Sequence, residues 1–558
     1  MLYINLNSNK ILTFGTIILG LFSAVAITFS IKGYIPADYF SVNGVMTAAS
    51  LPLTAMVDRL NFVAKNSNNN LSLASIGQIL NLKNYNLDPS KTSQDVPVLL
   101  YHGITEKADR FSLTRKTFKD QMFALKQAGY NTISLEELDQ FLNGQRTLPA
   151  KSFLLTFDDG RADSYYGADP TLQALGFKAV MFVATADSID PDDSPHSYYL
   201  HTALLRRMVD SGRWEIGSHA IQSTGGFVPI NADQEKANFL SNKMWLSSST
   251  KLEDTDEYLD RIDNELANSK KELETTFGKK ITAFSYPFGD YGQQTENNPE
   301  AEKTIRQVVT NNYSMAFAQV WPNDNIFTSN YLGQDAYRLR RIEVDTAWSG
   351  DNLTRFLNTI TSKTLPFNED FIGNNSWKSS WGKVSLNEQS ILLEAKASTT
   401  GAFTFLDGTA NWRDYFYTAK TEWSKNSYLS LIARYQDDSN YLTCAFSRDN
   451  VQIIEKLAGI TYVLNSVPNI IKLPISSISV GILVDGNTVY CYEGSQVVAF
   501  SHQINKKLLS GGIGAQVWNK KLNAATANIN SITVVPLDLL PELKKDLPIY
   551  DPTLSPAK

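Results

Sequence analysis

The stretch Phe153-Leu154-Leu155-Thr156-Phe157-Asp158-Asp159-Gly160 decides the fold of this chain. An apolar run typical of a buried strand ends in two adjacent carboxylates and a glycine. Because successive strand residues point to opposite sides, the two acids can do different work: one can hold a cation and the other can take a proton from water. The alternative is that both acids cap a helix beginning near Ala162, whose N-terminal dipole favours negative charge.

Further short apolar runs alternate with helical patterns along the same part of the chain. The predicted strands are residues 98–101, 153–157, 179–184, 214–218, 281–286, 314–319 and 339–344. The predicted helices include residues 117–128, 198–211 and 256–277. Such alternation favours parallel strands joined by crossover helices, hence either an α/β barrel or a doubly wound sheet.

Polar residues gather where these predicted strands end. They are His102, Asp158, Asp159, His219 and the loop after Tyr286. In α/β barrels the carboxyl ends of the strands carry the chemistry. The sequence therefore predicts one site built from acids and histidines at this end of the sheet.

The sequence pattern changes after about Pro366, where short β-rich segments replace the alternation of strand and helix patterns. The predicted strands are residues 390–397, 428–435, 441–446, 479–484, 488–492 and 529–535. We predict an all-β sandwich over residues 366–538 and a tail over 539–558. The only two cysteines, Cys444 and Cys491, lie in this part. They exclude a disulfide scaffold and a multi-cysteine zinc site, and leave open one disulfide or two buried thiols.

The N-terminal end predicts export. Residues 11–31 are uncharged and mostly apolar, and as a helix they would span roughly 31 Å, about one bilayer core. We predict a signal anchor over residues 1–32 and a spacer over 33–95, with the catalytic region outside the cytoplasm. The alternative is a secreted protein cleaved after Ala24-Val25-Ala26. The net charge of −6 across 558 residues gives no support to a nucleic-acid partner.

Residues 96–365 resemble the NodB-type polysaccharide deacetylase family, in particular the branch acting on exported poly-N-acetylglucosamine. The matching motifs, in that branch's order, are Val98-Leu99-Leu100-Tyr101-His102-Gly103, Thr156-Phe157-Asp158-Asp159-Gly160, Glu215-Ile216-Gly217-Ser218-His219, Phe284-Ser285-Tyr286-Pro287-Phe288-Gly289 and Arg340-Arg341-Ile342-Glu343-Val344. The resemblance implies a distorted (β/α) barrel that removes acetyl groups from N-acetyl sugars with a divalent metal, zinc before cobalt or nickel.

The resemblance also implies a role for each polar residue. Asp158 is the expected general base that activates water, and His102 the expected general acid that protonates the leaving amine. Asp159 and His219 are the expected metal ligands, and Arg341, in preference to Arg340, is expected to orient Asp158. The loop Tyr286-Pro287-Phe288-Gly289 is expected to border the substrate and to offer a backbone N–H to the oxyanion.

One position departs from the family pattern. The family has a second metal-binding histidine four residues after the first, and here that position is Ser223. Catalytic zinc usually has three protein ligands, so Asp159 and His219 alone make a poor site. Ser223 either adds a weak oxygen ligand or holds a water in the vacant position. His196 and His201 are possible substitutes, although surface or helix positions explain them more simply. This departure leaves a non-catalytic polysaccharide-binding protein as an alternative hypothesis. An O-acetyl esterase is a third hypothesis.

The C-terminal part resembles the concanavalin-like jelly-roll domains attached to sugar-active enzymes. The stretches that carry this resemblance are Trp412-Arg413-Asp414-Tyr415, the run from Ile432 to Tyr441, and Gly511-Gly512-Ile513-Gly514-Ala515-Gln516-Val517-Trp518. The candidate carbohydrate-binding residues are Trp412, Arg434, Tyr435 and Trp518. The alternative is that these side chains belong to the core of the sandwich.

Overall fold

The computed structural model describes most of the chain from residue 90 onward. The described ranges are 90–189, 198–221, 226–322, 326–372, 376–387, 389–395, 401–424, 427–469, 478–519 and 524–541, with runs of one to three residues between 51 and 88 and single positions at 324, 543 and 547. The chain divides into two compact units. The barrel unit comprises residues up to 322 together with 332–356, and the β unit comprises residues 323–331 and 357 onward.

Within the described ranges, seven parallel strands close into a barrel. They are β1 (Val98–Tyr101), β2 (Ser152–Phe157), β3 (Ala179–Val183), β4 (Trp214–Ser218), β5 (Ala283–Ser285), β6 (Met315–Val320) and β7 (Leu339–Glu343). Each strand pairs with its neighbours in chain order, and β7 and β2 both pair with β1, which closes the sheet. The barrel interpretation is therefore confirmed over the open doubly wound sheet.

Helices connect the strands along the outside. They are α1 (Arg115–Gln127), α2 (Leu135–Leu142), α3 (Ala162–Leu175), α4 (Thr202–Asp210), α5 (Thr255–Phe277), α6 (Ala301–Asn312) and α7 (Gly350–Ile360), with short turns at Thr185–Ser188 and Pro287–Gly289. Capping boxes formed by Ser134 with Glu137 and by Asp254 with Glu257 begin α2 and α5. These reciprocal bonds satisfy amide groups that the first helical turn leaves unpaired.

Apolar side chains fill the barrel interior, so it is a packed core and not a channel. They include Val98, Leu154, Val180, Phe182, Ala283, Phe317 and Leu339. Short strands lie in the connecting segments, at Asp95–Val96, Gly103–Thr105, Ser112–Thr114, Asn131–Thr132, Phe227–Pro229, Lys236–Asn238, Trp245–Leu246, Lys251–Leu252 and Asn330–Tyr331. The polar residues that end β1, β2, β4 and β7 thus lie above this core, where loops surround them.

Part of the segment predicted as a spacer lies against the barrel helices. Asp58 is buried and accepts hydrogen bonds from Lys119 Nζ in α1 (3.1 Å) and Thr171 Oγ1 in α3 (3.0 Å). Phe62 packs edge-on against Phe123, with ring centroids 5.3 Å apart. In the described part of the chain, no helix is long and apolar enough to cross a membrane, and the predicted anchor at residues 1–32 lies outside that part.

The β unit contains two antiparallel sheets. Its strands are β8 (Phe367–Glu369), β9 (Trp377–Trp381), β10 (Lys383–Asn387), β11 (Ser390–Ala395), β12 (Gly401–Leu406), β13 (Tyr415–Trp423), β14 (Tyr428–Asp437), β15 (Asn440–Phe446), β16 (Asn450–Leu457), β17 (Ile460–Pro468), β18 (Ile478–Asp485), β19 (Thr488–Glu493), β20 (Gln496–Ser501), β21 (Gly512–Trp518) and β22 (Ala525–Pro536), with 3₁₀ turns at Lys506–Leu508 and Leu537–Leu539. One sheet runs β10-β11-β22-β13-β18-β19-β20 with β8 beside β22, and the other runs β9-β12-β21-β14-β15-β16-β17.

A single apolar core joins the two sheets, with Ile391 and Ile482 from one and Leu431 and Ile453 from the other. Cys444 in β15 and Cys491 in β19 form a disulfide, with Cα atoms 5.7 Å apart, so the two thiols left open by the sequence are bonded. The predicted all-β C-terminal part is confirmed, whereas the jelly-roll assignment stays a prediction.

Candidate active site

Asp158 follows β2 and is held as a carboxylate at the barrel mouth. Arg341 of β7 donates from Nη1 to Oδ1 (2.5 Å) and from Nη2 to Oδ2 (2.7 Å). Burial raises the pKa of Asp158, but the charge and hydrogen bonds of Arg341, with a smaller contribution from His219, lower it to about 2. Arg340 lies next to Gln334 Oε1 instead (3.4 Å), so Arg341 is the arginine that contacts Asp158.

Ser285, at the end of β5, ties three site residues together. Its Oγ accepts from Arg341 Nη2 (2.6 Å) and donates to Asp158 Oδ2 (3.2 Å). Its carbonyl oxygen lies 2.9 Å from His219 Nδ1. Because a carbonyl can only accept, Nδ1 carries a proton, and Nε2 is the ring nitrogen left to bind a metal when the imidazole is neutral. Sequence reasoning missed Ser285, although its place as a polar residue at a strand end was the available signal.

Asp159 and His219 form the pair expected to hold a metal. Asp159 Oδ1 lies 3.7 Å from His219 Nε2, and Asp158 Oδ2 lies 4.0 Å from the same nitrogen. Asp159 has a φ of 70°, a left-handed conformation that turns the chain directly after the buried strand. Two ligands of a tetrahedral zinc, each about 2.1 Å from the ion, lie about 3.4 Å apart, so this pair fits two corners of such a site.

The third corner is not assigned. Among the described residues, no group of three or more His, Cys, Asp or Glu side chains is arranged to hold a metal ion. Ser223 and His196, both weighed as ligands from the sequence, lie outside the described ranges. His201 is the N-cap residue that precedes α4. The described residues therefore supply two of the three protein ligands that catalytic zinc usually has.

His102 follows β1 and faces a carboxylate. Its Nδ1 lies 3.4 Å from Glu343 Oε1 at the end of β7, and Gln319 Nε2 donates to the other Glu343 oxygen (3.1 Å). Burial lowers the pKa of His102, but the Glu343 carboxylate, helped by Asp158 and Asp159, raises it to about 9. His102 is thus an imidazolium at neutral pH. Glu343 and Gln319 were missed, although Glu343 stands in the Arg340–Val344 motif.

The loop Tyr286-Pro287-Phe288-Gly289 follows β5 at the same end of the barrel. Tyr286 is buried, and its hydroxyl donates to the Tyr337 carbonyl (2.9 Å). The Tyr286 N–H donates to the Phe317 carbonyl (3.1 Å), and the Gly289 N–H donates to the Tyr286 carbonyl (3.0 Å). Proline has no N–H, so Phe288 is the loop residue whose N–H is the candidate oxyanion donor.

In the β unit, three of the four predicted sugar-binding residues have buried side chains. Trp412, Arg434 and Tyr435 are buried. Arg434 donates to the Leu508 carbonyl (3.0 Å) and to Asp414 Oδ1 (3.0 Å), so its charge serves the packing of this unit. Trp518 is half-buried and stacks on Tyr428 with ring centroids 4.2 Å apart. Of the four candidates, Trp518 is therefore the one with a partly exposed side chain that a sugar could contact.

Comparison with protein families finds one match inside the barrel unit. Residues 145–304 match the family described as Polysaccharide deacetylase, a range that contains Asp158, Asp159, His219 and the Tyr286–Gly289 loop. His102, Glu343 and Arg341 lie on either side of that range. The match therefore covers strands β2 to β5 and the residues that follow them.

Two curated proteins are similar to part of the chain. The protein named "Putative polysaccharide deacetylase YxkH" from Bacillus subtilis is 26% identical over 265 residues, which cover 48% of this chain and 77% of that protein. The poly-beta-1,6-N-acetyl-D-glucosamine N-deacetylase of Escherichia coli K12 is 25% identical over 202 residues, which cover 34% of this chain and only 30% of that enzyme.

Two solved structures are similar to about half of the chain, at lower sequence identity. A de-N-acetylase from Aggregatibacter actinomycetemcomitans is 23% identical with a TM-score of 0.39, and covers 47% of this chain and 99% of that one. IcaB from Ammonifex degensii is 22% identical with a TM-score of 0.34, and covers 47% of this chain and 97% of that one. The family match thus places the similarity to polysaccharide deacetylases in residues 145–304 of this chain.

Proposed function

We propose that the barrel unit removes N-acetyl groups from an exported or cell-wall polysaccharide of the N-acetylglucosamine type, with a divalent metal. The observation that carries this proposal is the convergence at one barrel end of the Asp158 carboxylate, the His102 imidazolium and the Asp159–His219 pair. Amide hydrolysis needs a base for the attacking water, an electrophile for the carbonyl and a proton for the departing amine. These residues match those three needs.

The two charged groups have complementary tasks. Arg341 and Ser285 keep Asp158 ionised and fixed in direction, so it can accept the proton of a water that attacks the amide carbon. Glu343 keeps His102 protonated, so it can give a proton to the amine as the C–N bond breaks. The N–H of Phe288 would donate to the oxygen on which negative charge develops.

The proposed metal would be held by Asp159 and His219. The His219 tautomer supports this role, because its Nδ1 proton is committed to the Ser285 carbonyl. A divalent cation there, zinc before cobalt or nickel, would supply a Lewis acid for the amide carbonyl. Such an acid complements Asp158, since a carboxylate with a pKa of about 2 is by itself a weak base.

A polysaccharide-binding protein without catalysis is the second candidate. It is favoured because the described residues supply only two candidate metal ligands, Asp159 and His219, whereas catalytic zinc usually has three protein ligands. An O-acetyl esterase would use the same groups and need less proton transfer from His102, because an alkoxide leaves more readily than an unprotonated amide nitrogen. The substrate bond and the metal separate these candidates.

An extracytoplasmic location belongs to the same proposal. A disulfide joins two strands of the β unit, and disulfides persist in oxidising compartments. An exported or cell-wall polysaccharide would also be accessible to the enzyme in such a compartment. We propose that residues 1–32 anchor the chain in a membrane, with secretion after signal cleavage as the alternative.

Acetate release from N-acetylglucosamine oligomers by the full chain tests the proposal. The assay compares added zinc, cobalt or nickel with chelator, and wild type with Asp158→Asn, which keeps the shape of the side chain and removes its basicity. We expect metal-dependent release that Asp158→Asn abolishes. Release from O-acetylated but not N-acetylated oligomers would assign the esterase. Oligomer binding without release under any metal would assign the binding protein.

A further inference from the structure

One flank of the β unit is apolar and exposed, and the proposed acetyl chemistry does not use it. Strand β17 (Ile460–Pro468) is the last strand of its sheet and, among the described residues, pairs only with β16. Its first four residues are all exposed, including Ile460, Tyr462 and Val463 at 58, 45 and 55%. An antiparallel strand usually packs one face on a core. The start of β17 therefore protrudes with both of its faces in solvent.

Strand β20 (Gln496–Ser501) ends the other sheet on the same flank, where its described pairing is with β19 alone. Asn465 of β17 donates from Nδ2 to the Phe500 carbonyl of β20 (2.8 Å), which holds the two edges side by side. The Phe500 side chain is 39% exposed. The nine residues of β17 and the six of β20 include no Asp, Glu, Lys, Arg or His, and we call these two strands the neutral flank.

The opposite flank, where the consecutive strands β9 and β10 end the two sheets, is protected. Lys383 in β10 forms an ion pair with Glu394. Lys378 in β9 donates to the Ile326 carbonyl (3.1 Å), so another segment of the chain lies against that edge. Bulges interrupt β9, β17 and β20 alike, so charge and covering are what distinguish the flanks. Sheets protect their edges with charged side chains or covering segments, and the neutral flank is open to a partner.

The charge pattern favours a second copy of this chain as that partner. Each copy has a net charge of −6, which opposes self-association wherever acidic surfaces meet. Two copies can bring their neutral flanks together without placing like charges opposite each other. A glycan fits this surface less well, because Ile460 and Val463 offer no ring face on which a sugar could stack.

The size of the neutral flank also suits such a contact. The nine residues of β17, at about 3.4 Å each, make an edge about 30 Å long. Two sheets about 10 Å apart, with the side chains beyond them, make the flank about 20 Å wide. Each copy would bury about 600 Å² and the pair about 1,200 Å², at the lower end of the range for specific interfaces. The expected contact is therefore reversible.

We propose that the neutral flank joins two copies of this chain in a two-fold dimer, with β17 of one copy against β17 of the other. A two-fold axis uses the same surface on both copies, which an uncharged surface satisfies without a complementary patch. The dimer carries two barrel units, so one long polymer could be bound at two places with higher overall affinity. This inference goes beyond the proposed function and does not depend on it.

Sedimentation velocity of the full chain in detergent micelles tests the dimer over about a hundredfold range of concentration. We expect the mass to rise from one chain to two. Val463→Lys puts two lysines into one contact and should weaken the dimer Kd about tenfold or more, as should Ile460→Lys. Leu386→Lys is the matched control, because Leu386 is 40% exposed on the edge strand β10 of the opposite flank. Association through residues 1–32 would be the same in all three variants.

Amide hydrogen exchange locates the contact. The amides of β17 should exchange more slowly at high than at low protein concentration in the wild type and in Leu386→Lys, but not in Val463→Lys. The amides of β10 are the internal control. A wild type that stays monomeric, or a dimer that both neutral-flank variants leave intact, overturns the proposal. Protection of β17 by an N-acetylglucosamine hexamer in a monomeric chain would assign the flank to a glycan instead.

Discussion

Arg341 holds both carboxylate oxygens of Asp158 in a pair of parallel hydrogen bonds, 2.5 and 2.7 Å long. The Arg341 and Asp158 side chains expose 1% and 4% of their surface. A buried ion pair of this kind is directional, and removing one partner leaves the other charge buried and unpaired. This pair therefore fixes where the Asp158 carboxylate faces and also keeps it ionised.

Arg341→Gln should impair both stability and activity. The free energy of unfolding should fall by about 3–5 kcal/mol because Asp158 stays buried without its partner. A folded-state pKa below the unfolded value stabilises the protein above the unfolded pKa of about 3.9, and that stability is lost as pH falls toward 2. The variant should therefore acid-unfold at a higher pH. Denaturant titration across pH 2–7, with acetate release at pH 7, measures both effects.

Arg340→Gln is the matched control, because the neighbouring arginine lies by Gln334 and does not contact Asp158. We expect this change to leave stability and acetate release close to wild type. If the two glutamine variants behave alike, the Arg341–Asp158 pair does not have the role assigned to it.

Glu343→Gln should shift the alkaline limit of activity. Without the carboxylate, burial dominates, and the pKa of His102 should fall from about 9 toward or below its ordinary value of 6.5. Since His102 gives its proton to the leaving amine, the rate should decline at lower pH than in wild type. The pH profile of kcat and an NMR titration of the His102 ring measure the two shifts independently.

The free energy of unfolding should also depend on pH through the His102–Glu343 pair. A histidine with a raised folded-state pKa stabilises the protein below its unfolded pKa of about 6.5, and this contribution is lost as pH rises toward 9. Glu343→Gln should remove that dependence. Glu274→Gln is a suitable control, because its carboxylate accepts the Ile281 N–H near the start of β5, away from His102. A His102 titration that is the same in both variants would contradict the assigned partner.

The sequence predicted the barrel because its signals are local. Each strand is a short apolar run, and each polar residue at a strand end could be recognised without knowing its neighbours. Asp158, Asp159, His102 and His219 were found in this way, and the structure brings them to one barrel end. The ends of the barrel strands differed from the prediction by at most two residues; the predicted strand 281–286, for example, is observed as Ala283–Ser285.

The partners of these residues could not be predicted, because they depend on barrel closure. Glu343 meets His102 only because β7 pairs with β1. Ser285 contacts Asp158 across 127 residues of sequence, and nothing in either local pattern indicates the pair. The burial of individual aromatic side chains could not be predicted either. The sequence makes Tyr435 a candidate for sugar contact, but it follows a register shift in β14 and lies in a buried, mostly aromatic cluster.

Metal affinity should depend on the proposed ligands Asp159 and His219 and on the residue at position 223. His219→Ala should lower zinc affinity well over tenfold, because even residues that only orient a ligand change affinity by about 10- to 100-fold. Ser223→His should raise it, since it adds an imidazole donor toward the usual three. Zinc titration by calorimetry measures both, and His502→Ala in the β unit controls for loss of a histidine. Unaltered affinity in His219→Ala would remove the metal from this site, and no gain in Ser223→His would count against position 223.

Removing the Cys444–Cys491 disulfide should destabilise the β unit. The crosslink closes a loop of 47 residues, which in the chain-entropy description stabilises the folded state by about 4 kcal/mol. In the Cys444→Ala/Cys491→Ala double variant, amide hydrogen exchange should accelerate in β13 to β22. Strands β1 to β7 of the barrel unit provide the internal control in the same molecule. Reduction of the wild type with a thiol should reproduce the change, because it removes the crosslink without removing side-chain volume. Equal acceleration in both units would mean that the disulfide stabilises the chain as a whole, and no acceleration would mean that the shared core holds the two sheets without it.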